Sequence, residues 1–195
     1  MSTGRILNIP NMLTLARIAF IPVFLVIAYW PPAIGIAEHH GGMMRHLILT
    51  AIFVLAAVTD WFDGYLARTL NQTSAFGRFL DPVADKLMVA AALIVLVQWQ
   101  PTISMAFAAI VIISREITVS ALREWMAELG ARTNVAVSTV GKYKTAFQMI
   151  AISVFLLNWK PLEIWAYALL YAAVILTLWS MIIYLRAAWP YLKQP

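Results

Sequence analysis

Cysteine is absent from the 195 residues. That excludes disulfides and thiolate metal sites, and it leaves no redox clue to compartment. Charge is scarce too: Asp, Glu, Lys and Arg make up 12% of the chain against 63% hydrophobic residues, with a mean hydropathy of +0.81. So little polar surface cannot cover a soluble fold. No internal repeat or low-complexity tract occurs. The N-terminal stretch MSTGRILNIPNMLTLAR has polar breaks and Pro10 before its first apolar run, and no small-residue cleavage site follows, so no removable signal peptide is expected.

Long hydrophobic runs fill the chain instead. Six are evident: Leu13 to Trp30, Leu47 to Arg68, Ala84 to Trp99, Ile103 to Met126, Gly141 to Trp159 and Leu162 to Ala188. A bilayer core of about 30 Å needs about 20 helical residues to cross. The expected fold is therefore all-α: a polytopic membrane protein of six transmembrane helices forming a single domain over residues 1–195. The net charge of +5 points in such a chain to anionic membrane lipids and not to nucleic acid.

The basic residues are distributed unevenly. With the N-terminus, the second and fourth loops and the C-terminus on one side, twelve of the fourteen Lys and Arg fall there, leaving only Arg45 and Lys160 opposite. The positive-inside rule makes that side cytoplasmic and both termini internal. Trp30, Trp99 and Trp159 then lie at the outer ends, where an aromatic belt would form. Pro22 within the first span predicts a kink.

The second span ends in TDWFDGYLAR, Thr59 to Arg68. Counted from Leu47, the helix rises about 20 Å to Asp60, leaving it about 10 Å inside the inner edge of the hydrocarbon. Asp60, Asp63, Ala67 and Arg68 share a face by their i, i+3, i+7, i+8 spacing, and Gly64 leaves room for a ligand. After the loop, GRFLDPVAD spaces Gly77, Asp81 and Asp85 by fours; Pro82 suits a first turn, making Asp81 an expected N-cap. Four carboxylates near lipid would repel one another unless a cation sat between them. Oxygen-only donors select a hard ion, Mg²⁺ or Mn²⁺. Two such ions about 4 Å apart are the usual arrangement where carboxylates serve phosphoryl chemistry. A carboxylate not saturated by metal would take a proton from an attacking hydroxyl, and Arg68 would hold a phosphate oxygen.

Asp60 to Asp85 reads DxxDGxxAR, eight residues, then GxxxDxxxD. This resembles the signature of the CDP-alcohol phosphotransferases at every fixed position. The resemblance implies a six-helix membrane homodimer that displaces CMP from a CDP-linked donor. By position, it implies that Asp60, Asp63 and Asp81 are ligands of a two-metal site and that Asp85 is the base, close to or sharing the metals. Gly64, Ala67, Arg68 and Gly77 would wall the CDP site, with Pro10, Asn11, Thr14 and Arg17 of the PNxxTxxR element beside it.

Two further stretches concern the acceptor. IISREITVSALREWMAELG sets Arg115 among apolar neighbours, where it needs an anion: Glu116, Glu124 or an external phosphate. STVGKYKTAFQ puts Lys142 and Lys144 at the start of the fifth helix, either setting topology or joining the helix dipole in holding a phosphate. Both stretches, with NIPNMLTLARI and LTLWSM, resemble the bacterial members of the family that take glycerol 3-phosphate as acceptor. That implies CDP-diacylglycerol as donor, sn-glycerol 3-phosphate as acceptor, and a bacterial inner-membrane location with the active site facing the cytoplasm. Arg115 and Lys142, with Lys144 and Arg123, would form the acceptor pocket.

Two alternatives accompany this reading. The same chemistry could serve another alcohol, such as serine, an inositol phosphate or phosphatidylglycerol; or the carboxylates could form the ion path of a divalent-cation transporter. A zinc site at Glu38, His39 and His40 is disfavoured, because adjacent histidines lack ligand spacing and lie across the membrane from the aspartates.

Overall fold

The computed structural model describes residues 9–30, 38–69, 75–129 and 139–192. Six α-helices run through them: α1 (Ile9–Tyr29), α2 (Glu38–Thr69), α3 (Ala75–Trp99), α4 (Ile103–Glu128), α5 (Thr139–Leu157) and α6 (Glu163–Leu192), with one 3₁₀ turn at Lys160–Leu162. No strand occurs among the described residues. Among the described residues, four stretches are long and apolar enough to cross a membrane: Asn11–Tyr29, Gly42–Asp60, Ile103–Glu128 and Lys160–Tyr191, with Tyr143–Leu157 a shorter apolar helix. The chain is thus an all-helical membrane protein.

Two compact units are present. One comprises Met1–Leu96 with Ser153–Trp159, the other Val97–Ile152 with Lys160–Pro195. In the first, α1 packs on α2. Leu49, Phe53 and Ala56 are buried, and their i, i+4, i+7 spacing makes one stripe of α2 that reaches Asp60 at i+11. The matching stripe of α1 has Phe24 and Ala28 toward one end and the buried polar residues Asn11, Thr14 and Arg17 toward the other. α3 is enclosed to an unusual degree for a membrane helix, with Ala84, Met88, Val89, Ala91, Ala92, Leu93, Val95 and Leu96 all buried. Burial on nearly every face explains its apolar second half.

In the second unit, α4 packs on α6. Thr102 caps α4: its hydroxyl accepts from the Met105 amide at 3.2 Å. Met105, Ala108, Ala109, Ile112, Val119 and Met126 form the buried stripe of α4, and Arg115 and Glu116 fall in the gap within it. On α6 the buried residues are mostly small, Ala166, Ala173, Thr177, Ser180 and Ala188, which lets helix backbones approach without a hydrophobic driving force between them. The outward faces carry Ile103, Phe107, Ile110 and Ile117 on α4 and Ile164, Trp165, Ile175 and Trp179 on α6, all exposed in the chain alone. Lipid is the solvent that suits such a surface.

Several expected boundaries shift. α2 begins at Glu38, nine residues before the expected start, running through the pair Gly41 and Gly42. A helical glycine costs only about 1 kcal/mol, and a Cβ at Gly42 would meet nothing within 4 Å, so neither propensity nor crowding decides the point. α3 begins at Ala75, which overturns the N-cap assignment of Asp81: that residue and Pro82 lie inside the helix. Helix α1 continues through Pro22. Because Phe53 is fully buried, Phe53→Ala is expected to lower stability by about 3 kcal/mol, mostly as lost van der Waals contact. Equilibrium unfolding in mixed detergent micelles measures this.

Candidate active site

The first unit joins a buried cation to the first aspartate of the motif. The Arg17 side chain is only 1% exposed and pairs through Nη1 with Asp60 Oδ1, while the Asp60 side chain is 43% exposed. Burial excludes a role for Arg17 as a charge snorkelling to the membrane edge. Asn11, Thr14 and Arg17 are buried together at i, i+3, i+6 spacing, which puts these three residues against protein and not lipid. Asp60 keeps an accessible carboxylate although one oxygen is held by Arg17, and a carboxylate has acceptor sites enough for both a guanidinium and a further partner.

Beyond Asp60, α2 continues to Thr69, placing Asp63, Gly64, Ala67 and Arg68 on a helix past the apolar segment. Their side chains, and those of Asp81 and Pro10, lie outside the described residues. On α3, Gly77 is buried, and Asp85 is half-buried between the buried Ala84 and Met88. Among the described side chains no three His, Asp or Glu gather into a metal-binding group; of the four motif aspartates that set contains Asp60 and Asp85. The fit to a metal rests on donor chemistry. Asp60 and Asp63 are one turn apart on α2, Asp81 and Asp85 one turn apart on α3, and oxygen donors so paired suit a hard divalent ion.

The second unit holds a separate polar cluster. Arg115 Nη1 donates to Glu116 Oε1 at 3.0 Å and Nη2 donates to Ser180 Oγ at 2.9 Å. Lys144, whose side chain is 5% exposed, pairs with the same Glu116 carboxylate. Ser180 Oγ donates onward to the Thr177 carbonyl at 2.9 Å, and the Arg115 guanidinium lies 5.8 Å from the Tyr184 ring centroid. The anion that Arg115 needs is thus Glu116, the nearer of the two candidate glutamates; Glu124 is exposed. Arg123 is also exposed, and no described contact ties it to this cluster. The side chain of Lys142 lies outside the described residues, although its backbone stands at the expected place in the first turns of α5. Sequence reasoning missed the bridging position of Glu116 and the contribution of Ser180. The signal for both was present: Lys144 and Gln148, Thr177 and Ser180, and Arg115 and Glu116 interrupt the apolar stripes of α5, α6 and α4 with polar groups that lipid would not tolerate.

Carboxylates at the end of one membrane helix and a buried basic cluster on others define a class, an integral membrane transferase. The chain belongs to the CDP-alcohol phosphatidyltransferase family, which matches residues 7–179. Among its relatives, the CDP-diacylglycerol–glycerol-3-phosphate 3-phosphatidyltransferase of Haemophilus influenzae is 51% identical over 182 residues, covering 93% of each chain. The enzymes of the same name from Pseudomonas fluorescens and Pectobacterium atrosepticum are each 49% identical over 191 residues, which is 96% of this chain and 93% and 98% of theirs. Family membership sets aside the cation-transporter alternative.

The pair between Arg17 and Asp60 has a measurable weight. Breaking a fully buried pair costs about 3–5 kcal/mol, and because Asp60 keeps partial exposure, Arg17→Ala is expected to cost less, about 1–3 kcal/mol. Thermal melting in detergent gives this value, and loss of activity in excess of the loss of fold would show that the pair also positions Asp60.

Proposed function

We propose that this enzyme transfers the phosphatidyl group of CDP-diacylglycerol to sn-glycerol 3-phosphate, forming phosphatidylglycerophosphate and releasing CMP. The observation that carries the reading is about 50% identity, along nearly the whole chain, to three enzymes named for that reaction. The partly buried Arg115 and the buried Lys144, two cations against one carboxylate, support an anionic acceptor over serine. Lys142, two residues earlier on α5, adds a further positive charge.

In this reading the glycerol 1-hydroxyl attacks the β-phosphorus of the donor. The new P–O bond forms as the bond to the bridging oxygen of CMP breaks, and the hydroxyl proton passes to the Asp85 carboxylate. Asp60, Asp63 and Asp81, with Asp85 close by, are the residues that would hold Mg²⁺ or Mn²⁺. Bound divalent cations there supply neutralisation of the charge that develops on the phosphoryl oxygens. Arg17 fixes Asp60, Arg68 holds the diphosphate, and Gly64, Ala67 and Gly77 leave room for the nucleotide. Pro10, Asn11 and Thr14 form the neighbouring wall, and Arg115, Lys142 and Lys144 hold the acceptor phosphate. Arg123 is proposed as a peripheral acceptor contact.

Six spans follow from the six apolar runs and cytoplasmic termini from the basic-residue asymmetry, and a bacterial inner membrane is the location that the bacterial relatives favour. One domain is favoured because two of the three boundaries between the compact units fall within α3 and α5, whereas domain boundaries fall in linkers. A homodimer is the expected assembly, by analogy with the family.

Purified enzyme given CDP-diacylglycerol, glycerol 3-phosphate and Mg²⁺ or Mn²⁺ is expected to release CMP; no release would refute the assignment, and release with serine alone would redirect it. Asp60→Asn, Asp63→Asn and Asp81→Asn are expected to abolish turnover. Asp85→Asn should still bind CDP-diacylglycerol but not turn it over, and near-normal turnover would remove Asp85 as the base. Arg115→Ala and Lys142→Ala should raise the KM for glycerol 3-phosphate without weakening donor binding.

A further inference from the structure

The cations of the second unit meet at a single atom. Arg115 Nη1 and Lys144 Nζ both donate to Glu116 Oε1, one from the middle of α4 and the other from the second turn of α5. Two positive charges this buried repel unless an anion lies between them. Glu116 supplies that anion from α4 itself. On its other side the guanidinium is held by Ser180 Oγ at 2.9 Å and faces Tyr184, both on α6. These contacts fix the orientation of the fork. Arg115 Nε is nevertheless buried with no hydrogen-bond partner, so a donor on the edge of the fork turned away from Glu116 is left over.

We propose that Glu116 is a positioning residue for the acceptor phosphate: it draws cations from two helices to one point and thereby sets the geometry in which they meet the ligand. The proposal rests on the reading of Arg115 and Lys144 as the acceptor site. A carboxylate oxygen that receives donors from α4 and α5 makes the same demand on them as a phosphate oxygen does, so the donors stand ready before substrate arrives. The three side chains together keep one excess positive charge, and attraction for a phosphate monoester survives the pairing. Position here outweighs charge. Without Glu116 the site would be more positive, but Arg115 and Lys144 would separate to relieve their repulsion.

Steady-state kinetics of Glu116→Gln tests this in the full-length enzyme. The expected result is a KM for glycerol 3-phosphate raised about tenfold, with kcat within about threefold and the KM for CDP-diacylglycerol unchanged. Glu116→Asp keeps the charge and is expected to recover part of the loss. An unchanged KM overturns the proposal, and a lowered one shows that Glu116 merely competes with the phosphate. If Glu116→Gln does not survive purification as a folded protein, Glu116→Asp decides: a raised KM at preserved kcat supports positioning and an unchanged KM overturns it. Arg115→Ala and Lys144→Ala separate the two levels of the argument. If both raise the acceptor KM and the Glu116 variants do not, only the positioning role falls; if neither does, the acceptor site falls and the proposal with it.

Discussion

Neutralising charge away from water is the constraint on which the rest of this molecule depends. A membrane helix bundle has no solvent with which to screen an arginine or a carboxylate, so each must find its counter-ion on a neighbouring helix or lie where headgroups and water reach it. Both solutions occur. Arg17 is buried against Asp60, and Arg115 and Lys144 share Glu116. These pairs link α1 to α2 and α4 to α5, so the contacts that neutralise charge also fix the helices that carry the chemistry. Replacing such pairs with apolar side chains would cost the fold little, which makes function the better reason for their presence.

The remaining packing supports those pairs. Aromatic and aliphatic side chains fill the stripe between α1 and α2 up to the depth of Arg17 and Asp60, and small residues on α6 bring it close enough to α4 for Ser180 to reach Arg115. In each case the apolar contacts end where the polar ones begin. A helix stripe that changes character partway is therefore the structural mark of a site in this chain, and α1, α2, α4, α5 and α6 all show one.

Much of this was legible in the sequence, for physical reasons that differ by element. Hydropathy located the helices because lipid leaves no other solution for the backbone, and the motif spacing placed Asp60 and Asp63 one turn apart on α2 and Asp81 and Asp85 one turn apart on α3. Local signals misled at helix ends. Pro82 after Asp81 looks like the first turn of a helix, yet α3 starts at Ala75; the glycine pair before Met43 looks like a break, yet α2 passes through it. Terminal preferences are worth about 1 kcal/mol each, and tertiary packing readily exceeds that. Partners across helices were the least legible. Nothing in the spacing of REI distinguishes Glu116 from Glu124 as the anion for Arg115, since that choice depends on which face of α4 is buried. Nor could Lys144, two residues from Lys142, be identified as buried until α5 had a packed face.

The length of α2 carries one more consequence. The helix runs unbroken from the apolar stretch Gly42–Asp60 to Thr69, an extension of about 13 Å past Asp60. Asp63, Gly64, Ala67 and Arg68 ride on that extension, so their height above the acyl chains is set by how the apolar segment matches the lipid around it. The residues proposed to meet the donor diphosphate would then shift in height with the thickness of the bilayer. An enzyme that makes membrane lipid would in this way have its reaction tuned by the physical dimensions of the membrane it builds.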